Sequence, residues 1–175
     1  KYFITTYSSV TTPTKTTLVD NTGKIIRELG DSKSAVMDQY ELAKTELIRI
    51  KSADGLFDLP AYVTWPAKMD PNKKYPLLVE NHGGPILNYG DRFTAEIQLY
   101  AADGFVVFYP NPRGSTSYGE EFGNLLKNNY PGQDYNDVMD GVDYLVEKGI
   151  ADNDKLFVAG GSAGGIMTAW IIGKN

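Results

Sequence analysis

The sequence of 175 residues contains no cysteine and a single histidine, His82. The lack of cysteine excludes thiol catalysis, disulfides and zinc–thiolate sites, and the single histidine excludes any mechanism that needs two within this chain. Positive charge is also scarce, since 17 Lys and Arg stand against 22 Asp and Glu, a net charge of −5. Nucleic-acid binders concentrate positive charge, so we expect no such partner. The apolar runs span a handful of residues, whereas a bilayer span needs about 20, so we expect no membrane segment.

The composition is that of a folded protein. Hydrophobic residues make up 42% of the chain and aromatic residues 12%, which is enough for a core and too apolar for a disordered segment. The length corresponds to about one domain. The first residue is Lys rather than Met, and no apolar segment follows it, so we expect that the native N-terminus has been lost or trimmed.

The first 45 residues differ from the rest in composition and in predicted secondary structure. Residues 1–30 are rich in threonine and predict three short strands around a hairpin turn at 20–23, where Gly23 is free to adopt a positive φ. Three strands without a helix bury little surface, so this part is predicted to be the end of a larger β structure. Residues 31–45 form a polar connector with some helical character. The predicted strands are Tyr2–Ser9, Thr14–Val19 and Lys24–Leu29.

From residue 46 onward, strand and helix patterns alternate. Two alternating segments predict antiparallel strands (Leu47–Ile50 and Leu59–Thr64), and three continuous apolar runs predict parallel strands covered on both faces (Leu77–Val79, Phe105–Tyr109 and Leu156–Ala159). Helical stripes lie between and after them, among them one formed by Ile166, Met167, Trp170 and Ile171. Such alternation is typical of βαβ units, so residues 46–175 are predicted to form an α/β domain with a mostly parallel sheet.

A nucleophile motif follows the last predicted strand. Gly160, Ser162 and Gly164 satisfy the G-x-S-x-G pattern of a nucleophile elbow, in which a serine stands at a sharp strand-to-helix turn. Side chains two residues before and two after the serine would collide, so glycine is needed at both positions. The following helix N-terminus offers amide donors and a positive dipole end to a developing oxyanion.

Nucleotide binding does not fit the same loop. A dinucleotide fingerprint starting at Gly160 would need glycine where Ser162 stands, and a P-loop would need lysine where Ile166 stands. We therefore expect no cofactor.

A second motif, Asn81-His82-Gly83-Gly84-Pro85, follows the strand Leu77–Val79. In α/β-hydrolases an HGG-type loop at this place donates a backbone N–H to the oxyanion, together with the amide after the nucleophile. The two donors would be the amides of Gly84 and Ala163. The His82 side chain is interpreted as shaping this loop, because a triad base should follow the serine in the sequence.

Two further groups of charged residues are predicted to be structural. Arg113, within Asn111-Pro112-Arg113-Gly114-Ser115, could clamp a carboxylate, but an ion pair that holds this loop beside the elbow is the favoured interpretation. Four aspartates spaced three apart flank the apolar stripe of one predicted helix and are expected to form a solvated face, rather than a glycosidase or metal site. They are Asp134, Asp137, Asp140 and Asp143.

The three motifs, in this order, resemble the prolyl oligopeptidase family of serine peptidases, and most of all its acylaminoacyl-peptidase and dipeptidyl-peptidase branch. The resemblance is strong over residues 46–175. It is weaker over residues 1–45, which resemble the last strands of that family's β-propeller and the connector into its peptidase domain.

The resemblance implies that Ser162 is the acyl-accepting nucleophile, that Ala163 and Gly84 form the oxyanion hole and that peptides are the substrates. Two departures stand out: many relatives carry Tyr where Ala163 stands, and some carry Tyr in place of His82. The family's acid and base follow later strands, whereas this chain stops 13 residues after Ser162. We therefore expect an incomplete fragment whose full-length enzyme could form homo-oligomers.

Two other functions remain open. A carboxylesterase or lipase of the same fold would carry the same HGG and G-x-S-x-G motifs. A non-catalytic binding module built on an inactive hydrolase fold is the third possibility, although the intact elbow argues against decay in the parent protein.

Overall fold

The computed structural model describes residues 1–33 and 35–174. The first 31 residues form an antiparallel sheet of three strands in the order β1-β2-β3. As predicted, the turn between the last two is closed by the Gly23 amide, which donates to the Asp20 carbonyl over 3.1 Å, and Gly23 has a φ of 85°. The strands are β1 (Tyr2–Ser9), β2 (Thr12–Asp20) and β3 (Ile25–Asp31).

This small sheet is attached to the rest of the chain by its first hairpin. The Phe93 amide donates to Ser8 Oγ over 2.9 Å, and the Val10 amide donates to Asp91 Oδ1 over 2.7 Å. Most of its large apolar side chains are exposed, including Tyr2, Phe3, Ile4, Tyr7, Ile25 and Ile26. In the connector, the helical character predicted for 31–45 corresponds to a short 3-10 helix, Ala35–Gln39.

The second sheet has five strands in the order β4-β5-β7-β6-β8. The pairs β4–β5 and β5–β7 are antiparallel, whereas β6 pairs in parallel with both β7 and β8. The predicted mixture of two antiparallel strands and a parallel core is therefore confirmed. The strands are β4 (Thr45–Lys51), β5 (Asp58–Thr64), β6 (Tyr75–Asn81), β7 (Val106–Pro110) and β8 (Ala151–Gly160).

Helices cover both faces of this sheet. On one face, α3 and α4 pack through Val138, Val142, Leu145, Met167 and Ile171 against the strands, and on the other α1 packs through Ile97 and Ala101. The short helix α2 was not anticipated from the sequence. The helices are α1 (Ala95–Ala102), α2 (Glu120–Asn124), α3 (Gln133–Glu147) and α4 (Ala163–Lys174). In the described residues, no helix is long and apolar enough to cross a membrane.

The last apolar run is covered less fully than its sequence pattern alone predicts. Within the described chain β8 is an edge strand, and the side chains of Leu156 and Phe157 are 40% and 49% exposed. The apolar stripe predicted on α4 is also only half covered, since Met167 and Ile171 are buried but Ile166 and Trp170 are exposed.

Candidate active site

Ser162 occupies a sharp turn between β8 and α4 and is exposed. Its φ of 58° lies in the left-handed region, a conformation that costs a non-glycine residue free energy and that clusters at functional sites. The strained conformation expected for a serine at a nucleophile elbow is therefore present.

The two glycines of the motif are required by close backbone approach. A Cβ atom at Gly160 would lie 2.6 Å from the Gly164 carbonyl oxygen, and one at Gly164 would lie 2.1 Å from the Asn81 carbonyl oxygen. The expected collision between positions 160 and 164 is thus real. Both glycines also pack against the carboxyl end of β6, a contact that the sequence did not indicate.

The helix that follows presents its N-terminus directly behind the serine. Ala163 is the first residue of α4 and is buried, and the Ile166 amide donates to the Ser162 carbonyl over 3.2 Å. The Tyr130 hydroxyl donates to the Ala163 carbonyl over 2.5 Å. Burial, with the negative charge of Asp134 as a smaller cause, raises the pKa of Tyr130 to about 12, so the hydroxyl keeps its proton and fixes the start of the helix.

The loop after β6 lies against the elbow. A Cβ atom at Gly83 would lie 3.3 Å from the Gly161 carbonyl oxygen and 3.5 Å from Ser162 Cβ, so the backbone of this loop is in contact range of the serine. Gly84 has a φ of 116° and precedes a cis peptide bond to Pro85. The structure therefore brings the two sequence motifs that hold Gly84 and Ser162 to the same edge of the sheet.

The His82 side chain points into this loop and its neighbour. Its Nδ1 lies 2.8 Å from the Gly83 carbonyl oxygen and its Nε2 lies 3.0 Å from Ser115 Oγ. Burial lowers the pKa of the imidazole, although the Gly83 carbonyl opposes this in part. Both ring nitrogens are thus engaged within the loops, in agreement with the interpretation of His82 as a loop-shaping residue.

Arg113 forms the ion pair that the sequence suggested. Its Nε and Nη2 donate to the two oxygens of Asp137 over 2.8 and 2.6 Å, and its backbone amide donates to Asp137 Oδ2 over 2.9 Å. Its Nη1 donates to Asp54 over 2.8 Å, and the guanidinium lies over the ring of Phe57. This bond to Arg113 is the main reason that the pKa of Asp54 lies well below its usual range.

The expectation that the four aspartates of α3 form a solvated face is wrong for two of them. Asp137 is 2% exposed because it binds Arg113, and Asp134 is 1% exposed because its carboxylate accepts the Gly132 amide. Burial raises the pKa of Asp134. Asp140 is partly buried and accepts the Ala53 amide over 2.8 Å, so only Asp143 is an exposed residue.

Several contacts that organise the site were not predicted from the sequence. Asn111 is fully buried: its Oδ1 accepts the Tyr89 amide over 2.7 Å and its Nδ2 donates to the Tyr89 carbonyl over 2.9 Å, which joins the loops after β6 and β7. Asp54, Ser115 and Tyr130 also belong to this network. The sequence motifs do not reveal these contacts, because each pair of partners is distant in sequence. Among the described residues, no cluster of acidic, histidine or cysteine side chains could hold a metal ion.

The fold and the geometry around Ser162 define the class of protein. A mixed α/β sheet covered by helices, with a positive-φ serine between a strand and a helix N-terminus, is the architecture of α/β proteins with a nucleophile elbow. The sequence profile of the prolyl oligopeptidase family matches residues 91–175. Residues 91–175 belong to the prolyl oligopeptidase family, and the resemblance inferred from the three motifs is confirmed.

Individual relatives agree with this assignment. The chain is 37% identical over 154 residues to the uncharacterised peptidase YuxL of Bacillus subtilis, covering 87% of this chain and 23% of that protein. It is 31% identical over 153 residues to dipeptidyl-peptidase 5 of Aspergillus fumigatus, covering 86% and 21%.

Solved structures share the fold. An acylaminoacyl peptidase from Pyrococcus horikoshii superposes with a TM-score of 0.83 at 30% identity, over 97% of this chain and 27% of that one. A puromycin-hydrolysing peptidase of Mycobacterium tuberculosis gives a TM-score of 0.89 at 26% identity, over 99% and 27%. The chain therefore spans about a fifth to a quarter of the length of the relatives it matches.

Proposed function

We propose that this chain is the nucleophile-bearing part of a serine peptidase, in which Ser162 forms an acyl-enzyme with a peptide substrate. The observation that carries the proposal is the conformation of Ser162, exposed at a φ of 58° between two glycines that cannot bear side chains. The match of residues 91–175 to the prolyl oligopeptidase family supports peptide hydrolysis as the reaction. In this proposal residues 46–175 belong to an α/β-hydrolase domain, 31–45 are its connector and 1–30 end a β-propeller.

The proposed reaction begins with attack of Ser162 Oγ on the carbonyl carbon of the scissile peptide bond. The serine proton must pass to a base as the bond forms, and negative charge develops on the carbonyl oxygen. The backbone amides of Ala163 and Gly84 are the proposed donors to that oxygen. Ala163 supports this role because it opens α4, where the helix dipole favours negative charge, and Gly84 because its loop contacts the elbow.

The base and acid of the reaction are proposed to lie in polypeptide outside this sequence. His82, the only histidine, is engaged with Gly83 and Ser115 through its two ring nitrogens, so it is not placed to accept the Ser162 proton. The relatives are four to five times longer than the part matched here. We infer that residues 1–175 alone are inactive, because a serine without its base is a weak nucleophile.

Short peptides are the proposed substrate class. The curated relative from Aspergillus fumigatus is a dipeptidyl-peptidase and the Pyrococcus horikoshii structure is an acylaminoacyl peptidase, names that refer to removal of residues from the ends of peptides. Many members of the family that the motifs resemble carry Tyr where Ala163 stands, so the wall of the substrate pocket beside Ser162 is proposed to be thinner here.

Replacement of Ser162 by alanine in the full-length protein tests the proposal. We expect Ser162→Ala to lower kcat for short peptide substrates by about 10⁴-fold or more, since the covalent step is lost and only binding and the oxyanion donors remain. Ser32→Ala, at an exposed position far from the elbow in sequence, serves as the control and should leave kcat unchanged. If Ser162→Ala keeps a tenth of the wild-type rate, Ser162 is not the nucleophile. Turnover of esters but not of peptides by the wild type would identify a carboxylesterase instead.

A further inference from the structure

Ser115 belongs to the Asn111–Ser115 motif, and the reaction proposed above leaves it without a role. It is 1% exposed and contacts two groups through one hydroxyl. Its Oγ lies 2.7 Å from the Pro112 carbonyl oxygen and 3.0 Å from His82 Nε2. This contact links the loop after β7 to the loop after β6, which carries Gly84.

The direction of each hydrogen bond follows from what each atom can donate. The Gly83 carbonyl oxygen only accepts, so His82 Nδ1 must carry the proton that joins them over 2.8 Å. Burial favours the neutral ring, in which Nε2 is then unprotonated. The Pro112 carbonyl oxygen also only accepts, so the Ser115 hydroxyl proton is shared between Pro112 over 2.7 Å and Nε2 over 3.0 Å. If the ring gains a second proton, Nε2–H donates to Ser115 Oγ and the hydroxyl turns to Pro112. The bond from Nδ1–H to Gly83 is the same in both states.

That bond acts on the peptide unit that contains the proposed oxyanion donor. The Gly83 carbonyl and the Gly84 N–H belong to one peptide group, which is planar and trans, so holding its oxygen also fixes the direction of its N–H. Both flanking residues are glycines, which place little steric restriction on the peptide plane. Without a bond at the carbonyl, this plane has little to keep it in one orientation.

The Ser115 end of the arrangement is itself held rigidly. The bidentate pair between Arg113 and Asp137 and the two hydrogen bonds of Asn111 to the Tyr89 backbone fix the loop on either side of Ser115. The His82 ring also packs edge-on against the Tyr89 ring, with a centroid distance of 5.3 Å. The imidazole is therefore oriented from two sides.

We propose, on the basis of the function proposed for Ser162, that Ser115 and His82 are positioning residues that orient the Gly83–Gly84 peptide so that the Gly84 N–H faces the oxyanion. Neither side chain touches the substrate. Ser115 fixes the rotation of the imidazole, and the imidazole holds the peptide. We call these linked contacts of Ser115, His82 and the Gly83 carbonyl the relay. Because the relay orients an oxyanion donor, it affects the transition state, where the oxyanion exists, and not substrate binding.

Two amide variants of His82 in the full-length protein separate this role from simple packing. Asn places an N–H near the position of His Nδ1, whereas Gln places one near Nε2. We expect His82→Gln to lower kcat for a short peptide by about 30- to 100-fold with KM within about threefold, since one poorly aligned oxyanion donor costs up to about 100- to 1,000-fold. The kcat of His82→Asn should be at least tenfold higher than that of His82→Gln. Equal kcat values for the two variants, or an effect confined to KM, would overturn the proposal.

Ser115→Ala provides a second test. It is sufficient to test the proposal if His82→Gln does not fold. We expect kcat to fall about fivefold or more, with little further loss when the variant is combined with His82→Gln, because the relay is then already broken at Gly83. The inhibition constant of a peptide aldehyde, whose adduct with Ser162 carries an oxyanion, should rise in parallel. Unchanged kcat in Ser115→Ala contradicts the relay.

The positioning role of Ser115 and His82 can be wrong while the role of Ser162 as nucleophile is right, and the variants distinguish the two cases. Ser162→Ala, measured beside these variants, reports on the nucleophile alone. If Ser162→Ala is inactive while His82→Asn and His82→Gln have equal rates, the serine mechanism stands and the relay is wrong. If Ser162→Ala is active, both are wrong.

Discussion

Removal of the Asp137 carboxylate tests how strongly the loop after β7 is held beside the elbow. Asp137→Ala deletes the acceptor of three bonds, from Nε, Nη2 and the backbone amide of Arg113. The Asp137 side chain is 0% exposed and that of Arg113 is 8% exposed, so the guanidinium would keep only its bond to Asp54. Breaking a buried ion pair in this way costs about 3–5 kcal/mol, because a buried charge loses its partner.

This free energy should appear as faster local opening of the loop. Since about 1.4 kcal/mol corresponds to a factor of ten, the variant should raise the exchange rate of protected loop amides by about 100-fold to a few thousand-fold. The amides to follow are those of Gly114, Ser115 and Thr116, which donate to the carbonyls of Phe122, Pro112 and Leu87. Native-state hydrogen–deuterium exchange of the full-length protein measures them without requiring two-state unfolding.

An exposed aspartate on the same helix provides the matched control. Asp143 lies on α3, six residues after Asp137 and exposed to solvent, and its replacement by alanine should change stability by no more than about 0.5 kcal/mol. If Asp137→Ala accelerates exchange of the loop amides no more than Asp143→Ala does, the ion pair does not hold the loop and the interpretation is refuted.

Two further predictions concern stability and its dependence on pH. Burial, with a smaller effect of Glu96, raises the pKa of Glu80 from 4.5 to about 7; the fold therefore favours the neutral carboxyl, and stability should fall as the pH rises from about 4.5 to 7. Thermal unfolding of the full-length protein across this range should show a smaller fall in Glu80→Gln than in the wild type, and an equal fall would refute the assignment. Gly164→Ala should destabilise the elbow by several kcal/mol, because its Cβ would lie 2.1 Å from the Asn81 carbonyl oxygen. Gly173→Ala, on the same helix with no atom within 4 Å of the new Cβ, should be neutral or stabilising by up to about 1 kcal/mol, and equal melting temperatures for the two variants would contradict the clash.

Local chemistry explains which features were predictable from the sequence. The elbow is a short-range feature, since the spacing of Gly160, Ser162 and Gly164 follows from contacts within one turn. The hairpin at Gly23 and the strand–helix alternation depend in the same way on patterns a few residues long. These predictions were confirmed in the structure.

The features that could not be predicted depend on contacts between residues distant in the sequence. Asp137 and Arg113 are 24 residues apart, and the three-residue spacing of the aspartates on α3 resembles that of an ordinary solvated face. The link from Ser115 to His82 crosses 33 residues.

Covalent labelling of the full-length protein tests whether Ser162 is the activated nucleophile. A fluorophosphonate reacts with a serine only where the nucleophile is activated and its oxyanion is held, so digestion and mass spectrometry identify the modified residue. We predict one adduct per chain, on the peptide that contains Ser162, with peptidase activity lost in proportion to labelling. Full loss of activity with the adduct on another serine, or peptide hydrolysis that persists after Ser162 is fully labelled, would contradict it.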